Sequence, residues 1–364
     1  MKKPLRFPLV AMSSVALLMA GCAAEPSVEE SPVEEQVEEV VAEPEVNRHP
    51  LTGFELPEGS VEGPSVAVKI DNTSSGRPQV GIAAADLVFE ELVEGGVTRY
   101  LAVFHSAIPT EVGPVRSGRP QDADLIQSLG GIFVFSGVGN ANVREIIRGT
   151  GLQLVEHDTS KGEPFEDNFF RSTRKPAPWN LHIEASAVAE LYQDLTSPAE
   201  QFEFRTEPSE SSAVLSGVGA DSVRVTFSKR VQSIWEWDES SGTYLKFLEN
   251  GEPDSDADGT QISATNLLVF TPNYFDVEGL PSAAISGIRE TAYYFGGGNV
   301  ISGLFDASIP GNPIGLSDLE GQNLFLTPGK TFILLPPGAG STAGGVTVGS
   351  LTYQFQDVST RLDF

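Results

Sequence analysis

A single cysteine, Cys22, in 364 residues sets the first limit on how this chain can fold. With no second thiol to form an intramolecular disulfide, the fold must rest on a buried core. Cys22 also closes a targeting segment. Lys2, Lys3 and Arg6 form a positive start, and Val10 to Met19 is an apolar run too short to span a bilayer. Leu18-Met19-Ala20-Gly21-Cys22 places small residues before the thiol, as a lipoprotein cleavage box does. The expectation is a signal peptide over residues 1–21 and acyl chains on Cys22, holding the protein on the extracytoplasmic face of the cell membrane. A lipidated Cys22 leaves no thiol, which excludes redox chemistry, cysteine catalysis and cysteine metal sites.

Residues 22–48 read as the lipidated cysteine followed by an acidic tether. Nine glutamates lie between Glu25 and Glu45, among prolines and valines and with no aromatic residue. Such a segment repels itself and buries no core, so the expectation is an extended, disordered linker. The whole chain carries a net charge of −27. That argues against nucleic acid or a bare anionic membrane surface as a direct partner.

The remaining chain is long enough for two cores, expected as an N-terminal α/β domain over 49–207 and a mainly β domain over 208–364. The fold class is therefore α+β, with a mixed N-terminal domain followed by a mostly antiparallel one. Leu87 to Val93 and Val97 to Phe104 alternate with the strand period around Glu94-Gly95-Gly96, a hairpin signal. Pro120 to Leu129 predicts a helix with acidic residues in its first turn. Ile132 to Phe135 predicts a buried strand, followed by a glycine turn and a helix capped by Asn140. That turn could hold an anion, but it lacks the third glycine of a dinucleotide fingerprint, and a plain tight turn is the expectation. Ile183 to Leu195 predicts an amphipathic helix. In the second half, Trp235 and Trp237 alternate, and Gly296-Gly297-Gly298-Asn299 predicts another hairpin.

The candidate site centres on Arg77, Arg99, Arg116 and Arg119. They could brace carboxylates such as Glu90 and Glu94, or converge on an anionic ligand through guanidinium forks. Arg99 shares a strand face with Val97, Leu101 and Val103, so its stem should be packed. Arg116 and Arg119 follow Gly113-Pro114, where the chain turns and looser packing is expected. Ser117 lies between arginines without an evident base. A basic loop from Arg171 to Asn180 and His182 completes the face. His49, His105, His157 and His182 are singletons in sequence. Asp254-Ser255-Asp256-Ala257-Asp258-Gly259 begins like a calcium loop, but Thr265 stands where the twelfth-position glutamate belongs, so an acidic hairpin loop is expected. Pro328-Gly329-Lys330-Thr331 imitates a phosphate loop but lacks its first glycine. No cofactor and no metal are predicted.

Arg77-Pro78-Gln79, Ala85-Asp86-Leu87-Val88-Phe89-Glu90, Glu94-Gly95-Gly96-Val97-Thr98-Arg99 and Gly113-Pro114-Val115-Arg116-Ser117 together resemble the YerB-type family of bacterial lipoproteins. The resemblance runs from about Pro50 to Pro337 and implies a two-domain envelope lipoprotein with no established activity. This chain has Arg116-Ser117-Gly118-Arg119 where that family often has Arg-Ser-Ala-Arg. It has Pro178-Trp179-Asn180 where the family often has Pro-His-Asn, which removes any histidine role there. Two functions are therefore expected in competition. One is a lipid-anchored protein that binds an anionic cell-wall precursor or a protein partner. The other is an envelope enzyme acting on a phosphate- or carboxylate-bearing precursor, with Glu90 or Glu94 as base.

Overall fold

The computed structural model describes residues 47–57 and 63–364. The signal segment, Cys22 and most of the acidic tether lie outside these residues. The described residues form one compact unit.

The first half contributes strands β1 (Val66–Asp71), β2 (Leu87–Val93), β3 (Val97–Phe104), β4 (Ile132–Phe135), β5 (Gln153–Glu156), β6 (Phe169–Arg171) and β7 (Leu181–Ile183). Its helices are short: α1 (Pro120–Ile126), α2 (Ala141–Arg148) and α3 (Ala185–Leu191). The second half begins with α4 (Ser212–Ser216) and continues as strands. These are β8 (Val218–Gly219), β9 (Ser222–Thr226), β10 (Gln232–Asp238), β11 (Thr243–Phe247), β12 (Ser263–Ala264), β13 (Asn266–Phe270) and β14 (Tyr274–Val277). They are followed by β15 (Leu280–Ala283), β16 (Arg289–Gly296), β17 (Asn299–Asp306), β18 (Gly315–Ser317), β19 (Thr331–Leu335), β20 (Ser350–Phe355) and β21 (Val358–Asp363). The molecule is mainly β with few helices, more so than the α+β expectation.

Both hairpins predicted from glycine turns are present, and β2 and β3 have the predicted bounds. Asn140 caps α2, accepting the Val143 N–H at 3.1 Å. The helix expected over 183–195 is shorter. Leu181–Ile183 is a strand, because its backbone pairs with β6 and with residues 112–115, and α3 begins at Ala185.

The main correction concerns the sheet. Strands from both halves share one 11-stranded sheet, ordered β18-β17-β16-β13-β19-β2-β3-β1-β4-β5, with β8 pairing β17. Near the C-terminus of the chain, β19 inserts between β13 and β2 and runs parallel to both. The second half is mostly antiparallel, with β19 its parallel strand, and the sheet takes strands from both sides of residue 207. A second sheet, β12-β11-β10-β9-β20-β21, packs on this one. Buried Trp235 meets Phe332 of β19 edge-on at 4.9 Å, and Tyr244 meets Phe295 of β16 at 6.3 Å. β2 is consequently covered on both faces, and its alternating pattern encloses two buried glutamates.

Candidate functional site

The hairpin tip is built by Gly95, whose φ of +79° is the left-handed turn conformation that glycine adopts without strain. It leaves Glu94 facing the 117–119 segment. Arg119 closes on that carboxylate through Nε at 2.8 Å and through Nη2, and its Nη1 donates to the carbonyls of Ser117 and Gly118. Arg99 donates to the Ser117 carbonyl at 2.8 Å and lies 3.5 Å from Glu94. Burial opposes ionisation of Glu94, but the two guanidiniums outweigh it and hold its carboxyl below the ordinary value. Burial and the neighbouring Arg119 charge push Arg99 down to about 10. The expectation of loose packing at Arg119 is overturned. Its side chain is 4% exposed against 16% for Arg99, because Asp122 of α1 accepts its backbone N–H and fixes it in place.

Glu90 and Glu91 are adjacent, so their side chains leave β2 on opposite faces. Glu91 and Asp122 both engage the buried Lys69 ammonium of β1, Asp122 at 2.6 Å. Burial pushes Lys69 down to about 8, against the pull of Asp122. Glu90 accepts from Asn72, Thr98 and Ser233 at 2.8–3.0 Å, with the Lys246 ammonium at 3.9 Å. Both glutamates are fully buried. Lys69 was readable as a charge inside the apolar run Val66–Asp71, yet nothing in the spacing pairs it with Glu91.

The cleft lies between the two halves, a cavity of about 660 Å³. One wall is the turn after β1, from Asn72 to Arg77, with Arg116 beside it; the other carries Arg230, Gln232 and Phe247. Arg77 donates through Nε and Nη2 to Asn72 Oδ1 at 3.1 and 2.9 Å, and it lies 4.0 Å from Asp254. Arg116 donates through Nε to Asp71 at 2.5 Å. Arg230, in the β9–β10 turn, donates one terminal N–H to the Gly95 carbonyl at 3.0 Å. Trp179 reaches the same cavity. Its loop is held there by Lys175, whose ammonium donates to the carbonyls of Gly76 and Pro78.

Of the residues singled out from sequence, Arg77 and Arg116 line this cleft. Arg99, Arg119, Ser117 and Glu94 form the neighbouring knot, and Glu90 lies in the buried layer. Arg171 and Asn180 bond to each other at 3.0 Å, on the exposed part of their loop. His182 belongs to a separate cluster, 2.8 Å from Glu111, which also holds Arg174. Burial lowers the affinity of His182 for a proton, opposed by Glu111. Gly113 lets that ring approach, since a Cβ there would meet it at 2.8 Å. Arg230, Gln232 and Phe247 were not found from sequence, because only the packing of the second sheet on the first brings them across from Arg77.

The expected calcium-like loop sends its carboxylates to different partners. Asp254 lies 3.6 Å from Lys246, Asp256 accepts the N–H groups of Ile82 and Ala83, and Asp258 accepts that of Thr260. Among the described residues no group of His, Cys, Asp and Glu is placed to hold a metal ion. The glycine turn before α2 is tied to the arginine segment: the Ser136 N–H donates to the Arg116 carbonyl, and the Gly118 N–H to that of Gly137.

Residues 51–198 match the family described as "Protein of unknown function (DUF3048) N-terminal domain", and 223–333 match its C-terminal domain. "Putative lipoprotein YerB" of Bacillus subtilis (strain 168) is 35% identical over 134 residues, 36% of this chain and 39% of that protein. The crystal structure of YerB from Bacillus subtilis aligns with a TM-score of 0.66 at 24% identity, covering 79% of this chain and 96% of that one. The second likeness establishes the fold.

Proposed function

The chain belongs to the DUF3048 family, and from that premise we propose that it is a lipid-anchored protein of the extracytoplasmic membrane face that binds an anionic ligand in the cleft between its two halves. The observation that carries this reading is the meeting of Arg77, Arg116 and Arg230 in one cavity of a chain whose net charge is −27. Two of them have nitrogens that no acceptor among the described residues occupies: both terminal nitrogens of Arg116, and Nε and Nη2 of Arg230. Guanidinium donors left open in a concave site are suited to oxyanions. The anchor rests on Cys22 and its preceding box and on the lipoprotein name of the B. subtilis relative. Binding is favoured over catalysis because Glu90 and Glu94, the carboxylates offered as bases, already have partners.

A thermal-shift titration with inorganic pyrophosphate tests this, because a ligand bound by the native state alone raises the unfolding midpoint. The midpoint of the wild type should rise with pyrophosphate. Arg230→Gln, an exposed change, should keep the basal midpoint and lose most of the rise. Equal rises in both proteins would contradict the reading.

A further inference from the structure

We propose that the cleft receives a phosphate monoester carried on a flat-faced ring, the phosphate among Arg77, Arg116 and Arg230 and the ring against Trp179. This deepens the anion-binding reading and rests on it.

The three guanidiniums come from three separate elements: the turn after β1, the segment leading to α1, and the β9–β10 turn. A carboxylate has two acceptor oxygens in one plane, which one guanidinium fork can bridge. A phosphate monoester presents three acceptor oxygens in different directions and carries close to two negative charges at neutral pH. Its third oxygen, out of the plane of the other two, and its larger charge match three guanidiniums on different sides better than a carboxylate does. The protein's own acceptors occupy one nitrogen each of Arg116 and Arg230 and leave the rest. Glu249, exposed at the cleft rim, and Asp254 behind Arg77 repel an anion and offset part of the attraction of the guanidiniums.

The rest of the wall offers a surface for the ring. Trp179 and Phe247 are half-buried and line the same cavity. A half-exposed indole held over a polar cleft offers a flat apolar face for the C–H face of a sugar or for a base. Lys175 holds the Trp179 loop by two bonds to the backbone at Gly76 and Pro78, so this face is pre-positioned beside Arg77. The cavity of about 660 Å³ has room for both parts of such a ligand.

Calorimetric titration of the intact protein with five probes tests the proposal: glucose 1-phosphate, uridine 5′-monophosphate, glucuronate, inorganic phosphate and glucose. Glucose 1-phosphate or uridine 5′-monophosphate should bind at least tenfold tighter than glucuronate and than inorganic phosphate, and the tighter of the two identifies a sugar or a base as the ring. Trp179→Ala should erase the advantage over inorganic phosphate, and Trp179→Phe should retain part of it. If glucuronate binds as tightly as the phosphates, the phosphate assignment fails while anion binding stands. If inorganic phosphate equals the ring phosphates, or Trp179→Ala changes nothing, the ring assignment fails. If no anion binds, both readings fail together.

Discussion

At the scale of single residues, the buried histidines define how the fold responds to acid. His49 Nδ1 accepts the N–H groups of Leu51 and Thr52, so its proton resides on Nε2. That proton is donated to His105 Nδ1 at 3.0 Å, and His105 donates from Nε2 to the Gly63 carbonyl at 3.2 Å. A further proton on either ring would put two donors face to face, or break the 49–52 turn. Burial accordingly lowers both rings below 6.5, against the pull of Asp86. For a base whose folded value is lowered, the unfolded chain binds the extra proton. The stabilisation is complete above the unfolded value and is lost as pH falls below about 6.5. Asp256, raised to about 6 by burial, acts in the opposite sense, losing its stabilisation as pH rises. The informative quantity is thus a difference between proteins. Urea unfolding at pH 7.5 and 5.0 should show the wild type losing stability over this range through the pair. A His49→Gln, His105→Gln double variant should be weaker at pH 7.5 and lose less on acidification. Parallel losses would show that the pair takes no part. Spacing could not reveal this pair, since positions 49 and 105 meet through the β3 end and the 49–52 turn.

At the scale of elements, the β2–β3 hairpin is held by charges on both faces, and its arginines are structural to different degrees. Lys69→Met should destabilise by about 3–5 kcal/mol, because it strands Glu91 and Asp122 without their cation inside the sheet. Arg119→Ala should cost less, about 1–3 kcal/mol, since Glu94 is 44% exposed and can turn to water, while the Ser117 and Gly118 carbonyls lose a donor. Arg116→Ala removes the partner of buried Asp71 and should also destabilise. Urea melts of the three variants check the order; an Arg119→Ala protein as stable as wild type would contradict the knot described around Glu94. The strands of this hairpin were legible from alternation and its glycines. Their burial on both faces was not, because alternation describes a half-covered strand and β2 is covered by neighbours contributed by the second half.

At the scale of the molecule, β19 joins the halves by pairing with both β13 and β2. Its apolar run, Phe332 to Leu335, announces a buried strand but carries no information about which strands flank it. For the same reason the sequence showed Arg77 and Arg116 but not the opposite wall with Arg230 and Phe247. A shared sheet predicts a single unfolding transition in calorimetry, with the calorimetric and van't Hoff enthalpies in agreement; two separable transitions would mean that the joint is weak. The binding cleft is formed where the second sheet packs against the first-half strands of this joined sheet. Hydrogen–deuterium exchange of the intact protein with and without saturating glucose 1-phosphate tests it most directly, because bound ligand suppresses local opening. The account predicts slowed exchange in residues 72–77, around Trp179, and in residues 247–250, on both sides of the cleft. Protection confined to the Glu94–Gly96 hairpin tip, or to one half alone, would contradict it.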